Sequence, residues 1–249
     1  MTVTLDSLAV VTGGGAGIGH AIALGLAEQG RMIAVLDVRE EHAKKTAEEI
    51  VARGGRAEAF YVDIADMDSV TAVRDQVVAK YGPCQVLVNN AGWEEIHKFM
   101  ETSSDFWQKI LGINLLGPIA VTHAFLSGMV EAGNGGRVIN ISSDAGRVGS
   151  SGEVVYSGAK GGIIGFTKAL AREVIRYEIT SNCVCPGPTD TPLLRDAPTK
   201  LTDALKGAIP ARRLAEPADI MNAVRFFAHP DSSYITGQTL SVSGGLTMA

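Results

Sequence analysis

Apolar stretches of strand length recur along the chain, and between them hydrophobic residues return every three or four positions. "LAVVT" (8–12), "MIAVLD" (32–37), "AEAFYVD" (57–63), "VLVN" (86–89), "RVINIS" (137–142), "TSNCVCP" (180–186) and "TLSVS" (239–243) predict strands. "GIGHAIALGLAEQG" and "EEHAKKTAEEIVARGG", which separate the first three, carry the helical period and end in a terminating glycine. Further helices are predicted near 67–81, 104–131, 156–177 and 218–228. Because the strands are nearly continuously apolar, both faces of their sheet must be covered. Strand and helix in alternation then predict an α/β chain, a single-domain doubly wound parallel sheet of about seven strands with helices on both faces. No linker, repeat or low-complexity tract divides it. The longest stretch without either period, about 187–216, is the expected place for a lid.

Composition changes this picture little. With 249 residues, 46% hydrophobic and 20% charged, the chain is an ordinary soluble protein. A net charge of -5 and no basic run argue against a nucleic-acid partner. Cys84, Cys183 and Cys185 form no CxxC pair and read as buried thiols in a reducing, cytoplasmic setting. The first Lys or Arg is Arg31, so no cationic leader is expected. Residues 8–27 lack Lys, Arg, Asp and Glu and imitate a membrane span, but the glycines clustered within 13–19 read better as strand, loop and helix. His20, His42, His97, His123 and His229 form no ligand cluster with the cysteines, and no metal is expected.

Candidate chemistry begins at "TGGGAGIG" (12–19). The strict G-x-G-x-x-G spacing is absent; Gly13, Gly17 and Gly19 are the positions that allow a tight turn, close approach of a pyrophosphate, and packing of the helix whose N-terminus holds the anion. Asp37 ends the second strand 18 residues after Gly19, where a carboxylate accepts hydrogen bonds from ribose hydroxyls and repels a 2′-phosphate. That favours NAD over NADP, with Arg39 as the dissenting residue. Asp63 and "NNAG" (89–92) fall at later strand ends along the same edge. In "YSGAK" (156–160), Tyr156 and Lys160 stand one helical turn apart on one face, and a neighbouring cation favours the phenolate. Bringing a tyrosine from its ordinary pKa near 10 down to about 7 takes roughly 4 kcal/mol. A cation about 4 Å away supplies about 1 kcal/mol in water and about 4 at an effective dielectric of about 20, so a dry site is needed.

"TGGGAGIG", "NNAG", "ISS" followed by "YSGAK", and "VCPGPTDT" stand in the order and spacing of the short-chain dehydrogenases/reductases, a Rossmann-like family that the whole chain resembles. The resemblance implies an NAD-dependent oxidoreductase in which Tyr156 is the acid/base and Lys160 its activator. Ser143, 13 residues before Tyr156 and preferred over Ser142, would hold the substrate oxygen, and Asn114 would anchor a relay water. It further implies cofactor contacts from Thr12, Gly13, Gly17, Ile18, Gly19, Asp37, Asp63, Ile64, Asn90, Ala91, Gly92, Tyr156, Lys160, Pro186, Gly187, Thr189 and Thr191, and assembly as a homotetramer. Loops after the fourth, fifth and sixth strands should meet the substrate through Trp93, Asp144, Arg147, Val148, Val155, Leu193 and Leu194. "GRVGSSGE" and "LSVSGGLTM" resemble members acting on cyclic hydroxyacyl-CoA thioesters; 3-oxoacyl thioesters and free cyclic or aryl ketones are the alternatives. A dinucleotide-sensing regulator would need the glycine loop alone and have no use for Asn114, Ser143, Tyr156 and Lys160. The glycines after the lysine, Gly161 and Gly162, depart from the family's more usual alanine.

Overall fold

The computed structural model describes residues 6–191, 194 and 199–248. Strands β1 (Leu8–Thr12), β2 (Met32–Asp37), β3 (Arg56–Tyr61), β4 (Val86–Asn89), β5 (Gly136–Ile141), β6 (Ile179–Pro186) and β7 (Thr239–Val242) form one sheet in the order β3-β2-β1-β4-β5-β6-β7. Every pairing is parallel. The helices are α1 (Gly17–Ala27), α2 (Glu40–Ala52), α3 (Met67–Tyr81), α4 (Ser104–Leu111), α5 (Gly117–Ala132), α6 (Ala145–Val148), α7 (Val154–Val174), α8 (Thr199–Ala208) and α9 (Pro217–Ala228).

β1 shows why the strands carry no alternation. Ala9 and Val11 join a core with Ile22 and Leu26 of α1, Ile50 of α2 and Val224 of α9. Leu8 and Val10 face the opposite core, with Val73 of α3, Phe125 of α5 and Val174 of α7. Successive side chains point to opposite faces and both faces are packed, so each position has to be apolar. The chain builds outward from β1 to β3 and then resumes at β4 on the other side of β1. At that switch point the connections leave in opposite directions, and a crevice opens beyond the carboxyl ends of β1 and β4.

Four details differ from the sequence expectations. The helix expected over 104–131 is broken into α4, a π-helical turn at Gly112–Leu116, and α5. Pro118 accounts for part of the break, since the α-helical donor to the Asn114 carbonyl would be the N–H of residue 118, which proline lacks. Inside the stretch expected to lack a period lies α8, whose apolar positions 201, 204, 205 and 208 do have helical spacing, masked by Pro198 and Pro210 on either side. The short α6 was also unforeseen, and β3 stops at Tyr61, leaving Asp63 beyond the strand. Residues 8–27 do split into β1, a glycine loop and α1. Among the described residues, helix of a length and apolarity sufficient to cross a membrane occurs once, at Ser104–Ala132, and there Val121, Phe125 and Met129 lie in the core.

Candidate active site

The crevice at the switch point is built by backbone and small residues. Gly13 and Gly17 have φ of +63° and +54°, the left-handed region that side chains disfavour. A Cβ on Gly19 would lie 2.0 Å from the Gly13 carbonyl oxygen, so only glycine lets α1 start this close to β1. The first turn of α1 has no side-chain cap and no acidic residue, which leaves its N–H groups to an anion. Thr12 Oγ1 accepts the N–H groups of Asn90 (3.0 Å) and Ala91 (3.1 Å), joining the ends of β1 and β4. Asn90 Nδ2 returns bonds to the carbonyls of Thr12 (3.0 Å) and Gly13 (3.1 Å), so this amide holds the glycine loop from below. The buried Asp37 carboxylate accepts the Gly15 N–H at 3.0 Å and the Arg39 N–H at 2.9 Å. Arg39 itself is exposed, its Nε 4.0 Å from Asp37 Oδ1. Asp63 Oδ1 accepts the Ala65 N–H at 2.9 Å, and the side chain of Ile64 is buried against Gly117. Ile18 packs at the edge of one core, which turns it from the crevice toward α1's neighbours. These features fit a dinucleotide, with the α1 N-terminus for the pyrophosphate and Asp37 at the rim.

On the far side of the crevice the polar side chains converge. Tyr156 and Lys160 are on the first turns of α7, with Lys160 Nζ 5.6 Å from the phenol ring centre and donating to the Ile141 carbonyl at 3.0 Å. The Ser143 hydroxyl, just past β5, acts on the Tyr156 phenol and accepts the Ala145 N–H at 3.1 Å. The adjacent Ser142 donates to the Lys160 carbonyl at 2.8 Å. Asn114, fully buried in the π turn, donates to the carbonyls of Trp93 (2.7 Å) and Ile110 (3.0 Å) and accepts the Trp93 N–H at 3.3 Å. At Gly92 a Cβ would sit 3.0 Å from Asn114 Oδ1 and 3.5 Å from Lys160 Nζ.

Electrostatics here depart from the expectation that Lys160 lowers the phenol. Burial pushes Tyr156 well above its ordinary value, the charge of Glu94 adds to this, and the Ser143 hydrogen bond works against it. Lys160 is pulled down to about 8 by the same burial. In the protein alone desolvation dominates both groups, and the ammonium is bonded to the Ile141 carbonyl.

Comparison with known proteins shows the family. The family described as "Enoyl-(Acyl carrier protein) reductase" matches residues 13–247. The chain is 38% identical over 251 residues to (3R)-3-hydroxyacyl-CoA dehydrogenase of Canis lupus familiaris, covering 98% of this chain and 97% of that protein. It is also 38% identical over 243 residues to (2S)-[(R)-hydroxy(phenyl)methyl]succinyl-CoA dehydrogenase subunit BbsD of Thauera aromatica, covering 98% and 97%. A crystal structure of an actinorhodin polyketide ketoreductase variant with NADPH superposes with a TM-score of 0.93 at 34% identity, covering 99% of each chain. The chain belongs to the short-chain dehydrogenase/reductase family. It is accordingly an oxidoreductase acting on CH–OH groups, interconverting hydroxy and keto compounds.

The substrate side of this dehydrogenase/reductase is only partly as expected. A pocket lined by His97, Phe106, Ile110, Glu153, Val155 and Tyr156 opens beside the phenol, and Trp93 packs edge-on to Phe106 at 6.0 Å. Asp144 and Arg147, expected to meet substrate, are instead joined through Ser241 of β7: Arg147 Nη1 donates to Ser241 Oγ at 2.6 Å, and Ser241 donates to Asp144 Oδ1 at 2.5 Å. Asp144 is buried; its Oδ1 is paired with Ser241, and its Oδ2 has no partner among the described residues. Val148 is exposed on α6 and is not among the residues lining that pocket. Near the expected lid, Thr189 Oγ1 donates to the Gly187 carbonyl at 2.8 Å, Gly187 N–H to Val242 at 3.0 Å, and Leu194 N–H to Thr191 at 3.0 Å. Pro186 is buried beside Val242, and Leu193 lies outside the described residues.

Two polar features escaped the sequence reading. Asn89 and Asn140, register partners on β4 and β5, form a buried chain in which Asn89 Nδ2 donates to Thr122 and Asn140 (2.8 Å each) and Asn140 Nδ2 to Thr167 (2.9 Å). The matched asparagines at the ends of "VLVN" and "RVIN" were the available signal. Glu94 and Glu153 both act on Tyr156 by charge, holding the phenol up.

Proposed function

We propose that the protein is an NAD-dependent secondary-alcohol dehydrogenase with Tyr156 as acid/base, acting on a cyclic hydroxy compound or a hydroxyacyl-CoA thioester. The observation that carries this is the convergence of Tyr156 and Ser143 next to a pocket, with Lys160 behind. Nicotinamide dinucleotide, when bound, supplies the hydride acceptor and in its oxidised form a positive charge. Ser143 Oγ holds the carbinol oxygen, and Tyr156 Oη takes its proton as the carbonyl forms. The phenol starts from a raised pKa, so positive charge arriving in the crevice and Lys160 together make the phenolate accessible. Lys160, near pKa 8, is suited to pass the proton onward at working pH. Asn114, whose main-chain carbonyl lacks the α-helical donor that Pro118 would otherwise supply, holds a water at the end of that path.

NAD is favoured over NADP by the buried Asp37 carboxylate at the rim. The thioester reading rests on the hydroxyacyl-CoA relatives and on the resemblance of "GRVGSSGE" and "LSVSGGLTM" to 2-hydroxycyclohexanecarboxyl-CoA dehydrogenase. Reduction of a 3-oxoacyl thioester is a second reading, favoured by the 3-oxoacyl-[acyl-carrier-protein] reductase relatives. The chain acts as one catalytic unit in the cytoplasm and assembles as a homotetramer, with the stretch around 187–216 as its substrate lid, of which residues 192, 193 and 195–198 lie outside the described residues. Nucleotide reduction with a panel of cyclic alcohols and hydroxyacyl thioesters tests this. Tyr156→Phe is expected to lower kcat by at least about a hundredfold, and kcat/KM should be at least about tenfold higher with NAD than with NADP. Undiminished turnover by Tyr156→Phe would reject the mechanism, and a preference for NADP the cofactor assignment.

A further inference from the structure

The short helix that follows Ser143 has little of its own to hold it in place. α6 is four residues long and buries none of them, and Val148 on it is exposed. A single helical turn does not persist alone in water, so its position has to come from what it touches. One contact is with α7: a Cβ on Gly146 would lie 2.6 Å from the Lys160 carbonyl carbon, and glycine lets the two backbones meet. The other is with β7, at the edge of the sheet. Ser241 Oγ accepts from Arg147 Nη1 at 2.6 Å and donates to Asp144 Oδ1 at 2.5 Å, so one hydroxyl grips both the residue before α6 and a residue within it.

Ser143 is tied to the same turn. Its Oγ accepts the Ala145 N–H at 3.1 Å, and its carbonyl accepts the Gly146 N–H at 3.0 Å. Between them the Asp144 N–H donates to the Pro186 carbonyl of β6 at 3.0 Å, while the Asp144 side chain reaches across to β7. That side chain is 6% exposed, and with Oδ2 unpaired, Ser241 is its only hydrogen-bond donor among the described residues. Without the Ser241 hydroxyl a buried carboxylate loses its partner and turns toward water, which draws the Ala145 N–H off Ser143 Oγ.

We propose that Ser241 is a positioning residue: through the Asp144 carboxylate and the Ala145 N–H it fixes the Ser143 hydroxyl, the group that holds the substrate oxygen. This rests on the dehydrogenase reading above and deepens it, since a strand that supplies no reacting group then sets the geometry of one that does. Arg147 has a share in it. By donating to Ser241 Oγ it leaves the single proton of that hydroxyl for Asp144.

A double-mutant cycle with the alcohol panel tests the proposal. Ser241→Ala should lower kcat by at least about tenfold, the scale of a misplaced reacting group. In a Ser143→Ala background the same change should cost less than about twofold, because its effect runs through the hydroxyl already removed. Ser241→Thr, which keeps the hydroxyl and suits a strand, should recover kcat to within about threefold of wild type. Amide hydrogen exchange gives a reading without turnover: residues 143–149 should exchange faster in Ser241→Ala, and α1 should not. A kcat in Ser241→Ala within about twofold of wild type, equal losses in both backgrounds, or unchanged exchange over 143–149 would overturn the proposal. If wild type turns over none of the panel with NAD or NADP, the dehydrogenase reading fails, and exchange alone decides whether Ser241 holds the Ser143 turn. Should Ser241→Ala fail to fold by circular dichroism, Ser241→Cys, whose thiol is a weak donor, decides by the same readings.

Discussion

At the scale of single residues, Lys160 shows how a functional group is kept at a cost to the fold. Its side chain is buried and has its pKa drawn from 10.5 to about 8, chiefly by desolvation. The folded protein therefore binds fewer protons than the unfolded chain between about 8 and 10.5, and stability should rise with pH across that window. The charged form costs about 3 kcal/mol at neutral pH, offset by about 1 kcal/mol for the bond to the Ile141 carbonyl. Lys160→Met, which keeps the apolar stem, should thus melt several degrees higher than wild type at pH 7 and lose turnover. The gap should narrow by pH 10, and a lower melting temperature at pH 7 would contradict this account. The lysine was legible in sequence through its spacing from Tyr156; that burial raises the phenol instead of the ammonium lowering it was not, because desolvation depends on everything packed around both groups.

At the scale of elements, the break between α4 and α5 carries the most information. The apolar period across 104–131 announced the helix, and the interruption stayed hidden because a π turn preserves apolar character while shifting its phase. Pro118 has no N–H to give the Asn114 carbonyl, and the turn places the Asn114 side chain against both polar groups of the Trp93 backbone. Pro118→Ala restores the missing donor. It is expected to leave the melting temperature unchanged or raise it, and to lower kcat by about tenfold, or about 1.4 kcal/mol of barrier, by engaging the carbonyl assigned to the relay water. Unchanged kcat with a regular helix by circular dichroism would count against that assignment. The reassignment of Asp144 and Arg147 belongs at this scale also: they are sequence neighbours of Ser143, but their partner Ser241 lies on β7, nearly a hundred residues away.

For the whole molecule, the outer surface of α7 matters most. Gly161 and Gly162 are used within the chain, the former close to the Gly146 carbonyl and the latter against Leu115. Gly158 and Gly165 instead face open space, which suits the close approach of a second helix. In the tetramer proposed above they are the contact. Size-exclusion chromatography should give about four times the 26.1 kDa chain mass, and Gly165→Trp should shift elution to smaller species with the circular dichroism spectrum retained. Wild-type elution as a monomer would remove both expectations.

The sequence by itself determined the strand and helix alternation, the glycine loop and the one-turn spacing of Tyr156 and Lys160, because these depend on local period and on fixed spacing along one helix or one turn. Only the tertiary structure decided which polar groups pair across the sheet, as Asp144 and Arg147 do through Ser241. Those outcomes follow from loops that meet across the carboxyl edge of the sheet, where neighbours are set by strand order and carry no trace in the local pattern of residues.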